Sequence, residues 1–537
     1  MTDLPWQEKV SAKRAEADSK IPAEWRLSKD ILAAAKSNGV SVLDIPAKCG
    51  VLSESEIAIT EISDATALRD KLAVGALSAV DVATAFCKRA AIAQQLTSCL
   101  TETMFPQALA QAKELDDHLK TTGKPIGPLH GVPVSLKDTF NVKGVHSSIG
   151  FVSYLDRPPA TENSVLVHFL LKAGAVLYVK TNIPQTLMTA DSENNVFGRV
   201  LNPHNTNLTA GGSSGGEGAL IALRGSLIGI GTDIAGSIRI PALCCGTVGY
   251  KPSIGRVSYV GQTSASRPGM TGIAPVAGPL CHSVRDAEML LRMLFGHPTE
   301  DMDDMALVLP WIEPTRSETL MIGVLPEDPE TPLHPNMERN LKIAVQKLAD
   351  AGHKIIDLSG QVPFIGSAAD TSFRFFRIDP DQTQIQHIRN SGEPFIASLK
   401  YTYQVEGNAI EPGLRDLFDL NVVKAEVTAS MRRIYLQNNL DVIIGPGYQS
   451  TAVPHDTYGI PVYTVLANLI DSPACIIPFG QSKETEDAQY VRKVDYKPPY
   501  LPKEVENAPC HVQLIGRRQK DEVLLHHAQI VEAILAK

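Results

Sequence analysis

Four serines with the chance to do chemistry sit in one unusual stretch of this chain. Gly211–Arg239 reads GGSSGGEGALIALRGSLIGIGTDIAGSIR and carries Ser213, Ser214, Ser226 and Ser237 among nine glycines. With 39 glycines in 537 residues, average usage would place about two in such a window. Glycine loses more backbone entropy on folding than any other residue, so this density marks places where backbone approaches a ligand or takes up positive φ. A serine becomes a nucleophile when a neighbouring base takes its proton. The rest of the chain has to supply that base.

Histidine is the first base to test. GGSSGG matches G-x-S-x-G twice, centred on Ser213 and on Ser214, but a nucleophile elbow needs a strand directly before it. The preceding NPHNTNLTA does not read as a strand, and none of the 14 histidines is marked by spacing as a triad member. Phosphate binding fares no better: GIGTDI (229–234) has Ile234 where a third glycine belongs, and no GKS or GKT follows a glycine cluster. HExxH and clustered His/Asp/Glu spacings are absent, so neither a metal nor another cofactor is expected. What remains is a serine whose base is a lysine. Lys137 follows the apolar run Val132–Leu136. Burial disfavours its charged form and would bring its pKa from about 10.4 toward roughly 7–8, where a neutral amine serves as base. The same lysine also fits a structural role, paired to Asp138 or another carboxylate, and spacing alone leaves both readings open.

Stepping outward, Val132–Leu136 reads as a buried strand with Lys137 at its end, and Ala175–Lys180 (AVLYVK) as a second. Leu227–Gly231 is a third, and Glu217–Arg224 a short helix just after GGSSGG. Helices are predicted at Ser63–Val74, Ser78–Leu96 and Met104–Lys120, the first two opening on a serine able to cap them. Further strands are predicted at Ile322–Leu325, Lys354–Leu358, Val442–Ile444, Ala474–Pro478 and Val512–Ile515. This alternation predicts an α/β fold, a central mixed β-sheet covered by helices on both faces. Residues 1–60 read as a polar helical arm appended to one catalytic unit spanning 61–537. Pro363–Gly413 has weaker periodicity and reads as an insertion facing substrate.

Composition narrows the partners. A net charge of −9 argues against a nucleic-acid surface, which needs concentrated Lys and Arg. No apolar run approaches the ~18–20 residues that span a bilayer, and the charged N-terminus has no signal-peptide h-region. Eight scattered cysteines without a CxxC pair fit reduced thiols and a cytoplasmic location.

The run GPLHGVPVSLKD, YVKTNIP, GGSSGGEGAL, GTDIAGSIRIPA and GYKPSIGRV resembles the amidase signature family in order and in spacing. IPAEWRLS, AFCKRAAIAQQLT and YVKTNIPQTLM are similar to its fungal acetamidase-type branch. The resemblance implies the amidase-signature fold and a serine amidohydrolase that turns a carboxylic amide into an acid plus ammonia or an amine. It implies Ser237 as the acyl-forming nucleophile, Ser213 as a bridging serine joined to Gly212 by a cis peptide, and Lys137 as the base. The amides of Ile234, Ala235, Gly236 and Ser237 are the implied oxyanion donors, with Asp233 and Arg239 holding their turn and Leu187 contacting substrate. Ser214 is read as a hydrogen-bonding neighbour of Ser213.

One departure stands out: many members of that family have glycine where this chain has Ala235. If the position requires φ > 0, the methyl strains it; it also narrows the space beside the acyl carbonyl. Three rival readings stay open here, namely an A-type amidotransferase subunit, a non-catalytic relic of the fold, and a membrane-associated fatty-amide hydrolase. The expected partner is a small-molecule amide, with no stable membrane insertion and a homodimer as a possible assembly.

Overall fold

The computed structural model describes residues 5–35, 37, 39–297, 299–315, 319–403 and 412–537. Residues 1–4, 36 and 38 of the predicted arm, and 404–411 of the predicted insertion, lie outside the described residues. In chain order the strands are β1 Leu100–Thr103, β2 Pro133–Lys137, β3 Val176–Thr181, β4 Glu193–Asn194, β5 Gly198–Arg199, β6 Ile228–Asp233, β7 Val248–Lys251, β8 Val276–Cys281, β9 Met321–Val324, β10 Lys354–Asp357, β11 Val442–Gly445, β12 Ala474–Gln481 and β13 Pro509–Ile515. All but the β4–β5 pair join one eleven-stranded sheet ordered β1-β3-β2-β6-β8-β7-β12-β13-β11-β9-β10.

The sheet is mixed, as expected. β3, β2 and β6 run parallel at one side, β11, β9 and β10 at the other, and antiparallel pairings join them through the middle. Both faces of β2, β3, β6, β7, β8, β11 and β13 are buried along their whole length, which requires cover on both sides of the sheet. The site depends on the parallel trio. β2 and β6 pair through Leu136 and Ile230, and the Lys137 side chain at the end of β2 reaches Thr232 near the end of β6. Crevices outside the carboxyl ends of parallel strands are where α/β folds hold ligands.

Five strands were not legible in the sequence: β1, β7 and β8 of the main sheet, and the short β4–β5 pair. β8 (VAGPLC) contains Pro279, which argues against a central strand because proline cannot donate to a ladder. Pairing of β8 with β7 covers only Cys281 and Leu280, so Pro279 sits where that ladder has ended. The helix over Ala65–Ala73 is capped by Asp64, whose carboxylate accepts from the Ala67 amide at 2.9 Å, and not by Ser63. Ser78 caps Ala79–Thr97 as predicted, accepting from the Asp81 amide at 3.0 Å.

The arm begins with the helix Trp6–Ser19. It is tied to β1 by Lys20, 2.9 Å from Glu102, and by Lys13, paired to the same carboxylate. Trp25, Leu27 and Val42 join the main hydrophobic core, and the Trp25 ring packs against Phe105 at 5.4 Å. Within the insertion, Ile365–Phe376 and Thr383–Ser391 are helical. The first of these brings Phe373, Phe375 and Phe376 over the ends of the parallel strands.

Candidate active site

The end of β2 buries Lys137 completely, with Nζ 2.6 Å from Ser213 Oγ and 2.8 Å from Thr232 Oγ1. Among the described residues no carboxylate touches it. Asp138, the structural partner left open by the sequence, faces elsewhere: it pairs with Lys180 at 3.1 Å and accepts from Thr101 Oγ1 at 2.7 Å and the Ile149 amide at 2.8 Å. Burial pushes the Lys137 ammonium from the ordinary lysine range down to about 7, against the opposing pull of Asp233 and Glu217. A large fraction of this lysine is therefore neutral at neutral pH, with two N–H groups and a lone pair. Thr232 Oγ1 accepts one N–H, and the lone pair is available to the Ser213 hydroxyl.

Ser213 enters from a loop and is followed directly by the buried helix Gly215–Ala222. The Gly212–Ser213 peptide is cis. Close approach dictates the composition here: a Cβ on Gly216 would lie 2.4 Å from the Asn182 nitrogen and 2.5 Å from the Cys99 oxygen. Ser214 does not contact the Ser213 side chain as expected. Its amide donates to the Ser237 carbonyl at 3.2 Å, and its hydroxyl lies 3.4 Å from both the Thr232 amide and carbonyl. Ser214 thereby ties the two serine-bearing turns together through their backbones.

Ser237 sits in the turn after β6, and Asp233 organises that turn. Its carboxylate accepts from the Gly236 amide at 2.8 Å, the Ile238 amide at 3.2 Å and Asn468 Nδ2 at 2.8 Å. Arg239 grips the same carboxylate at 3.0 and 3.1 Å and donates onward to Thr464 O, Gln513 Oε1 and Asn468 Oδ1. Burial alone would raise the Asp233 carboxyl, but Arg239 overrides it and holds the group at about 2. Asp233 and Arg239 thus hold the turn, as their flanking positions predicted.

The engagement of Gly236 corrects its expected role. Its N–H points into the Asp233 carboxylate and is not free for an oxyanion. Gly236 is needed for another reason: its φ is +125°, and a Cβ would stand 2.3 Å from Thr464 Oγ1. Among the described residues, the amides of Ile234, Ala235 and Ser237 have no hydrogen-bond partner, and all three residues line the cavities around the serine. Ala235 is not among the residues with positive φ, so its methyl imposes no backbone strain. Its carbonyl is fixed by Thr464 Oγ1 at 2.8 Å.

Leu187 also lies at the site, on the wall of both cavities beside Ser237. It and Thr186 have φ of +64° and +70°, a conformation rare for side chains of this size. Such outliers cluster where function over-determines the backbone. Sequence reasoning missed Thr232, whose hydroxyl position beside Lys137 follows only from strand pairing. It also missed Thr464, Asn468 and Gln513, which reach the site from segments more than 220 residues away. On the helix that follows Ser213, Glu217 accepts from Ser135 Oγ at 2.6 Å and Thr181 Oγ1 at 2.9 Å, and burial pushes its carboxyl up to about 7 against those contacts.

A model of one protein family, described as "Amidase", matches residues 81–525 and so includes every one of these groups from Lys137 to Asn468. The chain belongs to the amidase family. An amidase of Gibberella moniliformis is 38% identical over 99% of both chains. An acetamidase of Emericella nidulans is 37% identical over 99% of this chain and 98% of its own. Among solved structures, a fatty acid amide hydrolase superposes with a TM-score of 0.90 at 32% identity, covering 99% of this chain and 95% of that one. The fold is that of an amidase-signature enzyme, and the activity class is amide hydrolysis.

Proposed function

We propose that this amidase cleaves carboxylic amides through an acyl-enzyme on Ser237, with Ser213 relaying protons to and from Lys137. The observation that carries the reading is the fully buried Lys137 amine, held by two hydroxyls and touched by no carboxylate. Neutral Lys137 takes the Ser213 proton while Ser213 takes that of Ser237, and Ser237 Oγ bonds to the amide carbon. Negative charge on the carbonyl oxygen is met by the free amides of Ile234, Ala235 and Ser237; one such donor is worth about 2.7–4 kcal/mol in a transition state. Ser213 then passes a proton to the amide nitrogen, regaining one from Lys137. The C–N bond breaks and the neutral amine leaves. Water attacks the ester by the same relay, and the acid is released.

The test is direct. Ser237→Ala abolishes turnover of acetamide while the protein stays folded, and a fluorophosphonate labels wild-type Ser237, located by peptide mass spectrometry. Persistent turnover by Ser237→Ala overturns the reading. We further infer that residues 61–537 form the catalytic unit, with 1–60 docked on it. The eight free cysteines support a reducing compartment such as the cytoplasm.

A further inference from the structure

Two unequal spaces meet at Ser237. One is a recess of about 20 Å³ beside Gly212 and Ala235, walled by Ile240, Phe373, Tyr401 and Tyr458. That volume holds about one water-sized group. The other is a cavity of about 850 Å³ lined by Ile273, Phe375, Phe376, Tyr403, Leu414 and Leu417. Leu187, Met188, Ile234 and Ser237 belong to both walls. Ser213 and Thr232 belong only to the large cavity, whereas Gly212 and Ala235 belong only to the recess.

This asymmetry decides which half of an amide goes where. The departing nitrogen must lie within hydrogen-bond reach of Ser213 Oγ, its proton donor. Ser213 faces the large cavity, so the nitrogen and whatever it carries face it too. At the tetrahedral carbon, one bond goes to Ser237 Oγ and one oxygen points to the free amides. With the nitrogen toward Ser213, the acyl substituent is left with the recess. Resting on the serine-hydrolase reading above, we infer that this enzyme is selective for short acyl groups, of acetyl size, on nitrogens bearing bulky apolar substituents.

The recess is narrow, and its walls do not yield cheaply. Tyr401 donates to the Asp456 carbonyl at 3.0 Å, and Ser398 donates to the Asp456 carboxylate at 2.7 Å. Thr402 donates to the Met188 carbonyl at 2.6 Å. Tyr458 stacks on Tyr448 with ring centres 3.8 Å apart, and the Tyr448 hydroxyl donates to the Tyr458 carbonyl at 2.5 Å. Asp456 is itself held by Arg199 at 2.7 Å. The Ala235 methyl narrows the recess further. The large cavity offers aromatic and aliphatic surface to the amine half. Once the amine has left, the same cavity supplies the water, which must also reach Ser213 to lose its proton. Atoms balance as amide plus water giving short-chain acid plus amine.

A pair of isomers tests this with size and hydrophobicity held constant: N-hexylacetamide and N-ethylhexanamide, each assayed for released amine alongside acetamide. The expected kcat/KM ratio favours N-hexylacetamide by at least about 10-fold, since even one misplaced methylene in a closed pocket costs roughly 10–200-fold. Ala235→Gly keeps the amide and removes the methyl, and narrows the ratio by raising the N-ethylhexanamide rate. A ratio of one or below overturns the inference, as does turnover of acetamide with neither isomer cleaved. Loss of all three activities in folded wild-type protein overturns the hydrolase reading itself, a separate result.

Discussion

Lys137 and Lys180 stand at the ends of adjacent parallel strands, β2 and β3, and both ammonium groups are fully buried. Their surroundings differ in one respect. Lys180 lies 3.1 Å from the Asp138 carboxylate and also donates to the His146 carbonyl and the Ser147 hydroxyl. Among the described residues Lys137 has only the hydroxyls of Ser213 and Thr232. Burial pulls both below the ordinary lysine range, but only for Lys180 does a touching carboxylate pull back. Contact with a carboxylate favours the charged form of a buried lysine and opposes the effect of burial; hydroxyl contacts alone offer no such opposition. A third buried lysine, Lys251, is pushed down to about 8 and donates to the Pro252 carbonyl, and among the described residues it makes no hydrogen bond to a serine. Burial makes a base available, and a neighbouring proton donor makes it useful.

Substituting the two lysines should separate these roles. Lys137→Met is expected to lower kcat/KM about 1,000-fold or more, the span of general-base catalysis, with a thermal midpoint close to wild type. A comparable loss of activity in Lys180→Met protein that is fully folded would break the contrast. For Lys180→Met the expected loss is in stability, about 3–5 kcal/mol in denaturant unfolding, because Asp138 is left buried without its partner.

The pH profile sharpens the comparison. The proposed relay needs Lys137 deprotonated, so wild-type kcat/KM should fall as pH drops through about 7 and level off above it. A profile flat from pH 5 to 9 would remove Lys137 from the mechanism. Glu217 favours the protonated lysine, so Glu217→Gln should move the acid limb to lower pH. The smallest effect is expected of Thr232→Val, which removes one acceptor from the Lys137 amine. It should cost about 1 kcal/mol, roughly five-fold in kcat, with KM unchanged.

Much of the site was legible because glycine density, a lysine at the end of an apolar run and the order of the motifs are properties of the chain itself. The α/β alternation was legible for the same reason, since apolar periodicity is local. Gly236 shows the limit: its place in the turn could be read, but not that Asp233 would take up its N–H. β8 shows another, because Pro279 contradicts a central strand until the early end of its ladder is seen. The turn's outer supports, Thr464, Asn468 and Gln513, carried no local signal at all.

By itself, then, the sequence determined which serines and which lysine were available, since side-chain identity and motif order need no folding to be read. Only the tertiary structure decided that Asp138 belongs to Lys180 and not to Lys137. It alone also set a recess of about 20 Å³ against a cavity of about 850 Å³ around Ser237. Pairing and enclosed volume both arise where segments distant in the chain meet, and no local spacing encodes that meeting.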